Sequence, residues 1–145
     1  MSYLELMKKL CKENKGYIVI MRSGVFFTAI GANAIKFSEI FGFKLLCISE
    51  GICKCSFPKT ALEEYTTKMK KSNYSYLIYD YKKEGFEDGL NHKLITKIEG
   101  KLNEEERNCL DCIKCEYNRN QKINLINKTL CQLNELLKED YKENG

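Results

Sequence analysis

The sequence feature that most constrains the fold is a short turn signal between two apolar runs near the N-terminus. Residues 18–21 and 25–30 are rich in β-branched and aromatic side chains, and Arg-Ser-Gly at 22–24 separates them. Two such runs around a short glycine-containing break are typical of a β-hairpin. Because neighbouring side chains on a strand point to opposite faces, Phe26 and Phe27 cannot both enter one core. Phe27 has the more apolar neighbours on its face, so we expect Phe27 in the core and Phe26 outside it.

Helical and strand patterns alternate through the first hundred residues. Apolar residues at helical spacing predict helices at residues 3–13, at 33–41 with Asn33 as the cap, and after Pro58. Runs of β-branched and aromatic residues predict further strands at residues 43–48, 52–57, 74–81 and 92–100. Beyond Gly100 the strand pattern ends and the sequence becomes polar and helical. We therefore predict an α+β fold, with a mixed β-sheet flanked by helices over residues 1–100 and a helical C-terminal extension over residues 101–145.

Composition and charge exclude several classes of protein. The sequence has no run of about 18 apolar residues, so we expect no membrane span. Its N-terminus lacks the apolar core of a signal peptide, so we expect a cytoplasmic protein. Without an export signal, the eight cysteines are expected as thiols or metal ligands rather than as disulfides. The net charge of +4 permits binding to a polyanion but does not require it.

The titratable residues do not predict catalysis. His92 is the one histidine of the sequence, and no pattern pairs it with a cysteine nucleophile. The glycines form no phosphate-binding loop, and the acidic pairs lie on predicted helix surfaces. We therefore predict a protein that is not an enzyme.

Three cysteines in the C-terminal extension suggest a zinc site. Cys109, Cys112 and Cys115 are each separated by two residues, which is a common spacing of zinc ligands. One straight helix cannot bring all three sulfur atoms to one ion, so zinc requires a break in the helix and a fourth ligand. The fourth ligand stays open among four residues: Cys131, His92, Cys53 and Cys55. The alternative is that the three cysteines are small buried hydrophobic side chains.

A second pattern in the extension predicts an amphipathic helix. Apolar residues at alternating spacings of three and four, the spacing of a coiled-coil seam, are Ile123, Ile126, Leu130, Leu133 and Leu137. This seam covers only about two heptads, so we first expect it to pack on the domain or against a helix at residues 102–117. The alternative is a homodimer or another protein partner bound through residues 123–137.

The order of these elements, with a few anchor residues, resembles the N-terminal mismatch-recognition domain of MutS. That family carries an Arg-x-Gly-Asp-Phe-Tyr-Glu block after an apolar strand, which IMRSGVFFTAIGANA matches at Arg22, Gly24, Phe26 and Ala34. CSFPKTALEEY matches a second block of the family at Pro58, Ala61 and Tyr65, and SYLIYDY stands in the place of the third strand. The resemblance covers roughly residues 1–100 and implies the fold of MutS domain I.

The resemblance also implies which residues contact nucleic acid. In the family, the first aromatic residue of the block inserts at a mispaired base from the minor groove, and this position is Phe26 here. The family's glutamate two residues later bonds that base, but Thr28 stands in its place and supplies no carboxylate. Arg22 and Lys59 are natural phosphate contacts if nucleic acid binds. Further cations of the same kind are Lys68, Lys70 and Lys71.

Two functions follow as expectations. The first is a non-catalytic protein that binds duplex DNA or RNA at a distorted, mismatched or bulged site, as a stand-alone relative of a DNA-repair domain. Modules of this kind are expected in mobile elements and phages. At 145 residues the sequence does not contain the connector, lever, clamp and ATPase of MutS, so a repair ATPase is not expected. The second is a protein-interaction adaptor or inhibitor from a mobile element or phage, which uses the C-terminal helices and binds no nucleic acid.

Overall fold

The computed structural model describes residues 2–49, 51–108, 110 and 116–144. Its helices are α1 (Tyr3–Glu13), α2 (Gly31–Phe41), α3 (Leu62–Lys71) and α4 (Glu116–Asn144). Its strands are β1 (Ile18–Ser23), β2 (Phe26–Ile30), β3 (Leu46–Ser49), β4 (Ile52–Pro58), β5 (Tyr76–Tyr81) and β6 (His92–Ile98). A 3-10 turn at Lys59–Ala61 joins β4 to α3. The predicted fold class is therefore confirmed: a mixed sheet flanked by helices is followed by a C-terminal helix. The division into domains at residue 100 stays a prediction.

The strands form one sheet in the order β3-β4-β2-β1-β5-β6. β1 and β5 are parallel, whereas the other four neighbouring pairs are antiparallel. Because β1 and β5 run in the same direction, their C-terminal ends lie at the same end of the sheet, where β2 begins and β4 ends. We call this the hairpin end; it consists of residues 22–26, 58–59 and 80–81.

Each face of the sheet carries its own core. α2 and α3 pack on one face, where the largest buried side chains are Phe37, Phe57, Met69 and Tyr76. α1 packs on the other face through Leu6, Met7 and Leu10. The central strand β1 contributes to both cores, since Ile18 and Ile20 face the first and Val19 and Met21 face the second. Burial on both faces explains why this strand is a continuous apolar run rather than an alternating one.

The helix starts agree only in part with the prediction. α1 begins as expected, because Ser2 and Glu5 form a capping box. The predicted cap of α2 is wrong: the helix begins at Gly31, and the amide of Asn33 donates to the sulfur of Cys11 at 3.2 Å instead. The helix predicted after Pro58 is present: Pro58 ends β4 and caps the 3-10 turn, which continues directly into α3 at Leu62.

The C-terminal extension starts without a helix. Residues 102–108 have no regular secondary structure, so the prediction of a helix from residue 102 onward is wrong for this part. The segment instead lies along the domain, where the Asn103 N–H donates to the Gly16 carbonyl at 2.8 Å and Arg107 forms an ion pair with Glu39. These contacts tie the segment to the surface of the domain.

The long helix α4 carries the predicted apolar seam. The side chains from residue 123 to residue 137 are exposed, although α4 lies against strand β3. The expectation that the seam packs on the domain or against residues 102–117 stays a prediction, because part of that segment lies outside the described residues. No helix in the described part of the chain has the length and the apolar character that crossing a membrane requires.

Candidate nucleic-acid interface

The hairpin end is built around the tight turn between β1 and β2. Gly24 occupies the turn with a φ of 64°, a backbone conformation that side-chain-bearing residues rarely adopt. The Arg22 guanidinium donates to the Gly24 carbonyl at 2.7 Å, and the Lys59 N–H donates to the Val25 carbonyl at 2.8 Å. The turn is therefore tied to its own strand on one side and to the end of β4 on the other.

The two adjacent phenylalanines divide between core and surface, as their alternation predicts. Phe27 is 2% exposed and stacks on Phe57, with ring centroids 5.4 Å apart. Phe26 is 49% exposed at the beginning of β2. The prediction that Phe27 belongs to the core is confirmed, and the role of Phe26 as a contact for nucleic acid stays a prediction.

The sheet register brings Phe26 close to Lys59. Phe26 lies between Ser23 of β1 and Pro58 of β4 in the antiparallel ladders. Lys59 follows directly after Pro58 and is exposed. An exposed aromatic residue and an exposed lysine therefore both belong to the hairpin end, and these are the residue types that stack on bases and contact phosphates.

Arg22 is held by an acidic partner that the sequence analysis missed. Its Nη2 lies 2.5 Å from Asp80 Oδ1, across the parallel pair of β1 and β5. This carboxylate oxygen is buried and forms no hydrogen bond within the described residues, so the ion pair with Arg22 neutralises it. Since the other arm of the guanidinium holds Gly24, Arg22 positions the turn rather than standing free as a cation. The sequence feature that could have indicated this ion pair is an acidic residue, Asp80, near the end of the predicted strand at residues 74–81.

Thr28 faces the core beneath α1. Its hydroxyl shares a 2.8 Å hydrogen bond with the Ser56 hydroxyl on β4 and lies close to the hydroxyl of Tyr3. The Tyr3 hydroxyl in turn donates to the Met21 carbonyl at 2.6 Å, and burial raises the pKa of this phenol. Thr28 is thus only partly exposed and already bonded. Sequence reasoning missed Tyr3 and Ser56, although the strand register would have placed Ser56 opposite Thr28.

The lysines of α3 do not join this site. The end of α3 leads into the start of β5, which lies beside the start of β1 and therefore at the opposite end of the sheet from the turn. Lys68 also pairs with Glu64 at 3.2 Å and covers the ring of Tyr65. These contacts are those of a solvated helix face.

The predicted zinc site lies outside the described residues, because Cys109, Cys112 and Cys115 are not among them. Of the proposed fourth ligands, Cys53 and Cys55 lie in the core and Cys131 is exposed on α4. Within the described part of the chain, no three side chains of the types that bind metals are grouped together. Cys47 is disulfide-bonded, which departs from the expectation that the cysteines are thiols or metal ligands.

A cavity of about 520 Å³ lies at the opposite end of the sheet, between α1, the start of α2 and residues 102–106. Its lining includes Lys8, Cys11, Lys15 and Asn33. No residue of the hairpin end lines it, so it forms no part of the candidate interface.

The fold and the hairpin end together define a class of protein: a small α+β domain with an exposed aromatic residue and an exposed lysine at one end of its sheet. The sequence model of MutS domain I matches residues 2–100, and the chain belongs to this family. This match confirms the resemblance inferred from the sequence. MutS domain I is a non-catalytic DNA-binding domain. No match was found among curated proteins.

Proposed function

We propose that this protein binds duplex DNA at mismatched, bulged or otherwise distorted steps, without catalysis, by inserting Phe26. The observation that carries this proposal is the position of Phe26: the side chain is half exposed at the end of a hairpin whose turn is fixed by Arg22 and Lys59. The neighbouring Val25 is also exposed, so the hairpin end presents two adjacent apolar side chains to the solvent.

The energetics of insertion favour a distorted target. Unstacking a base step costs a few kcal/mol, which an inserted apolar side chain offsets by gaining contact with the bases and by bending the duplex. A mismatched or bulged step has already lost part of its stacking and pairing, so it costs less to open. The free energy gained by burying the exposed half of the Phe26 ring therefore exceeds the cost of opening more readily at a distorted step than at a paired one.

Phosphate contact falls to Lys59 in this arrangement. Lys59 is exposed beside Phe26, whereas Arg22 is engaged by Asp80 and Gly24. We assign Arg22 the role of positioning the turn, and Lys59 that of a phosphate contact. Each phosphate contact adds a salt-dependent contribution to the affinity.

Fluorescence anisotropy with labelled duplexes tests the proposal. Matched, mismatched and bulged duplexes of equal length are titrated with the protein at two salt concentrations. We expect the bulged and mismatched duplexes to bind more tightly than the matched one, and Phe26→Ala to remove this preference. Lys59→Ala is expected to weaken binding to all three duplexes and to lower the salt slope by about one.

A matched control is Ile95→Ala on β6, because Ile95 is 44% exposed and lies outside the hairpin end. We expect this variant to bind like the wild type. Binding that is absent, or that Phe26→Ala and Ile95→Ala change equally, contradicts the proposal. The second candidate, a protein-interaction adaptor, is supported by the exposed apolar side chains of α4, and an absence of DNA binding favours it.

A further inference from the structure

The longest helix exposes a continuous apolar stripe. α4 covers 29 residues, and the large apolar side chains between residues 123 and 137 are 51–66% exposed. They are Ile123, Leu125, Ile126, Leu130, Leu133, Leu136 and Leu137. Five of the seven occupy alternating spacings of three and four, which places them along one seam of the helix. An apolar stripe of this kind on a helix is normally buried against another element.

The seam extends over about 21 Å, from Ile123 to Leu137 at 1.5 Å per residue. Most helix stability in proteins comes from packing of an apolar face. α4 lies against strand β3, but the described residues leave each seam side chain more than half exposed. The stripe is therefore available to an occupant outside the described domain.

We propose that the occupant is a second copy of this chain, and that two α4 helices form a short parallel coiled coil along residues 123–137. In a parallel pair in register, each of the five seam residues meets its own copy, so all five layers are apolar. An antiparallel pair matches only four apolar layers, and the fifth seam residue lies opposite Arg119 or Asp140 of the sequence.

The positions that flank the seam are compatible with self-association. On one side they are asparagines, at residues 120, 127 and 134, and on the other side they include Lys122 and Thr129. In a parallel pair Lys122 lies near Asn127 of the second copy, so no like charges meet. The side of the seam that includes Lys122 and Thr129 carries only one charge. It therefore offers little charge complementarity to a different partner protein of opposite charge. This inference is independent of DNA binding and goes beyond the proposed function.

Sedimentation equilibrium of the full chain between about 1 and 100 μM tests the dimer. We expect a mass that rises from 16.9 kDa towards twice that value, with a dissociation constant in the micromolar range, since the seam is short. The double variant Leu130→Glu with Leu133→Glu removes two adjacent layers, and we expect it to weaken the dimer at least about 100-fold. A wild-type chain that stays monomeric at 100 μM overturns the proposal.

The matched control is Leu125→Glu. Leu125 is 66% exposed on the same helix but lies about 120° from the middle of the seam, so we expect the dimer to persist. Equal loss of the dimer in the control and in the double variant overturns the assignment to the seam. Far-UV circular dichroism of each variant shows whether the α+β domain is still folded.

The parallel arrangement has a test of its own. Asn127→Glu places a carboxylate near Lys122 of the second copy only in a parallel pair, where it adds an ion pair. We expect the dissociation constant to fall about two- to five-fold at low salt, and this gain to vanish at high salt. An unchanged or weakened dimer at low salt overturns the parallel arrangement.

Discussion

The two adjacent phenylalanines of β2 provide a stability test in which each variant controls the other. Phe26→Ala and Phe27→Ala make the same chemical change at neighbouring positions of one strand, so the difference in β-propensity is nearly the same for both. What differs is the environment, since Phe26 is 49% exposed and Phe27 is 2% exposed. The free energies of unfolding of the two variants therefore compare surface and core directly.

The magnitudes follow from burial. Loss of a fully buried phenylalanine costs about 3–5 kcal/mol, because a cavity is left beside the ring of Phe57. Phe26 has about half of its surface to lose, so its removal costs about 1 kcal/mol. For a chain of this length, about 3 °C of melting temperature corresponds to 1 kcal/mol. We expect Phe27→Ala to lower the melting temperature by about 10–15 °C and Phe26→Ala by about 3 °C.

Urea unfolding followed by far-UV circular dichroism measures these differences, since the chain contains no tryptophan. The denaturant slope should stay close to that of the wild type in both variants, so that changes in the midpoint report stability. If Phe26→Ala destabilises the protein as much as Phe27→Ala, the assignment of Phe26 to the surface is refuted. The insertion of Phe26 into DNA would then lose its structural basis.

Three further predictions concern the ion pair, one thiol and the cysteine-rich segment. Arg22→Ala is expected to cost about 1–3 kcal/mol in urea unfolding because it leaves the buried Oδ1 atom of the partly exposed Asp80 unpaired; a cost near zero would show that the pair does not hold the turn. Burial raises the pKa of the Cys11 thiol to about 11, so the folded state binds the proton more tightly than the unfolded state, whose thiol ionises near pH 8.5. This contribution to stability is present below pH 8.5 and is lost as pH rises towards 11, at up to about 1.4 kcal/mol per pH unit; Cys11→Ala should flatten that decline in unfolding measured at pH 8 and pH 10.5. Elemental analysis of protein purified under reducing conditions decides between a zinc site and buried cysteines: about one zinc ion per chain, reduced by Cys112→Ser, supports the metal site, and a zinc-free wild type contradicts it.

Local patterns in the sequence were sufficient for most of the sheet. The turn signal at residues 22–24 separates two strands in the structure, and alternation assigned Phe27 to the core correctly. These predictions succeed because successive side chains of a strand alternate between the two faces of the sheet, so one buried position fixes the orientation of all the others. Helix α1 was predicted for a similar reason, since its buried residues recur at helical spacing.

Features that depend on distant partners were not predictable in the same way. The pairing of Arg22 with Asp80 requires the parallel register of β1 and β5, which are separated by more than fifty residues along the chain. Asparagine commonly caps helices, but the side chain of Asn33 donates a hydrogen bond to the sulfur of Cys11 on α1 instead. Residues 102–108 have helical composition, yet they have no regular secondary structure, and Asn103 and Arg107 hold the segment to the domain. In each case a tertiary contact overrides a local preference.

Thr28 decides how a protein with this hairpin can select its DNA. The family's glutamate position is filled here by a hydroxyl that is bonded to Ser56 beneath Tyr3, so no carboxylate at this position is available to a base edge. Selection in the proposed mode then rests on deformability, because the duplex that unstacks at the lowest cost gains most from insertion of Phe26. Affinity should accordingly follow the ease of opening, with bulges above mismatches and mismatches above paired steps. Among mismatches of similar stability, the identity of the mispaired base should matter little, because the residue that reads it in the family is replaced.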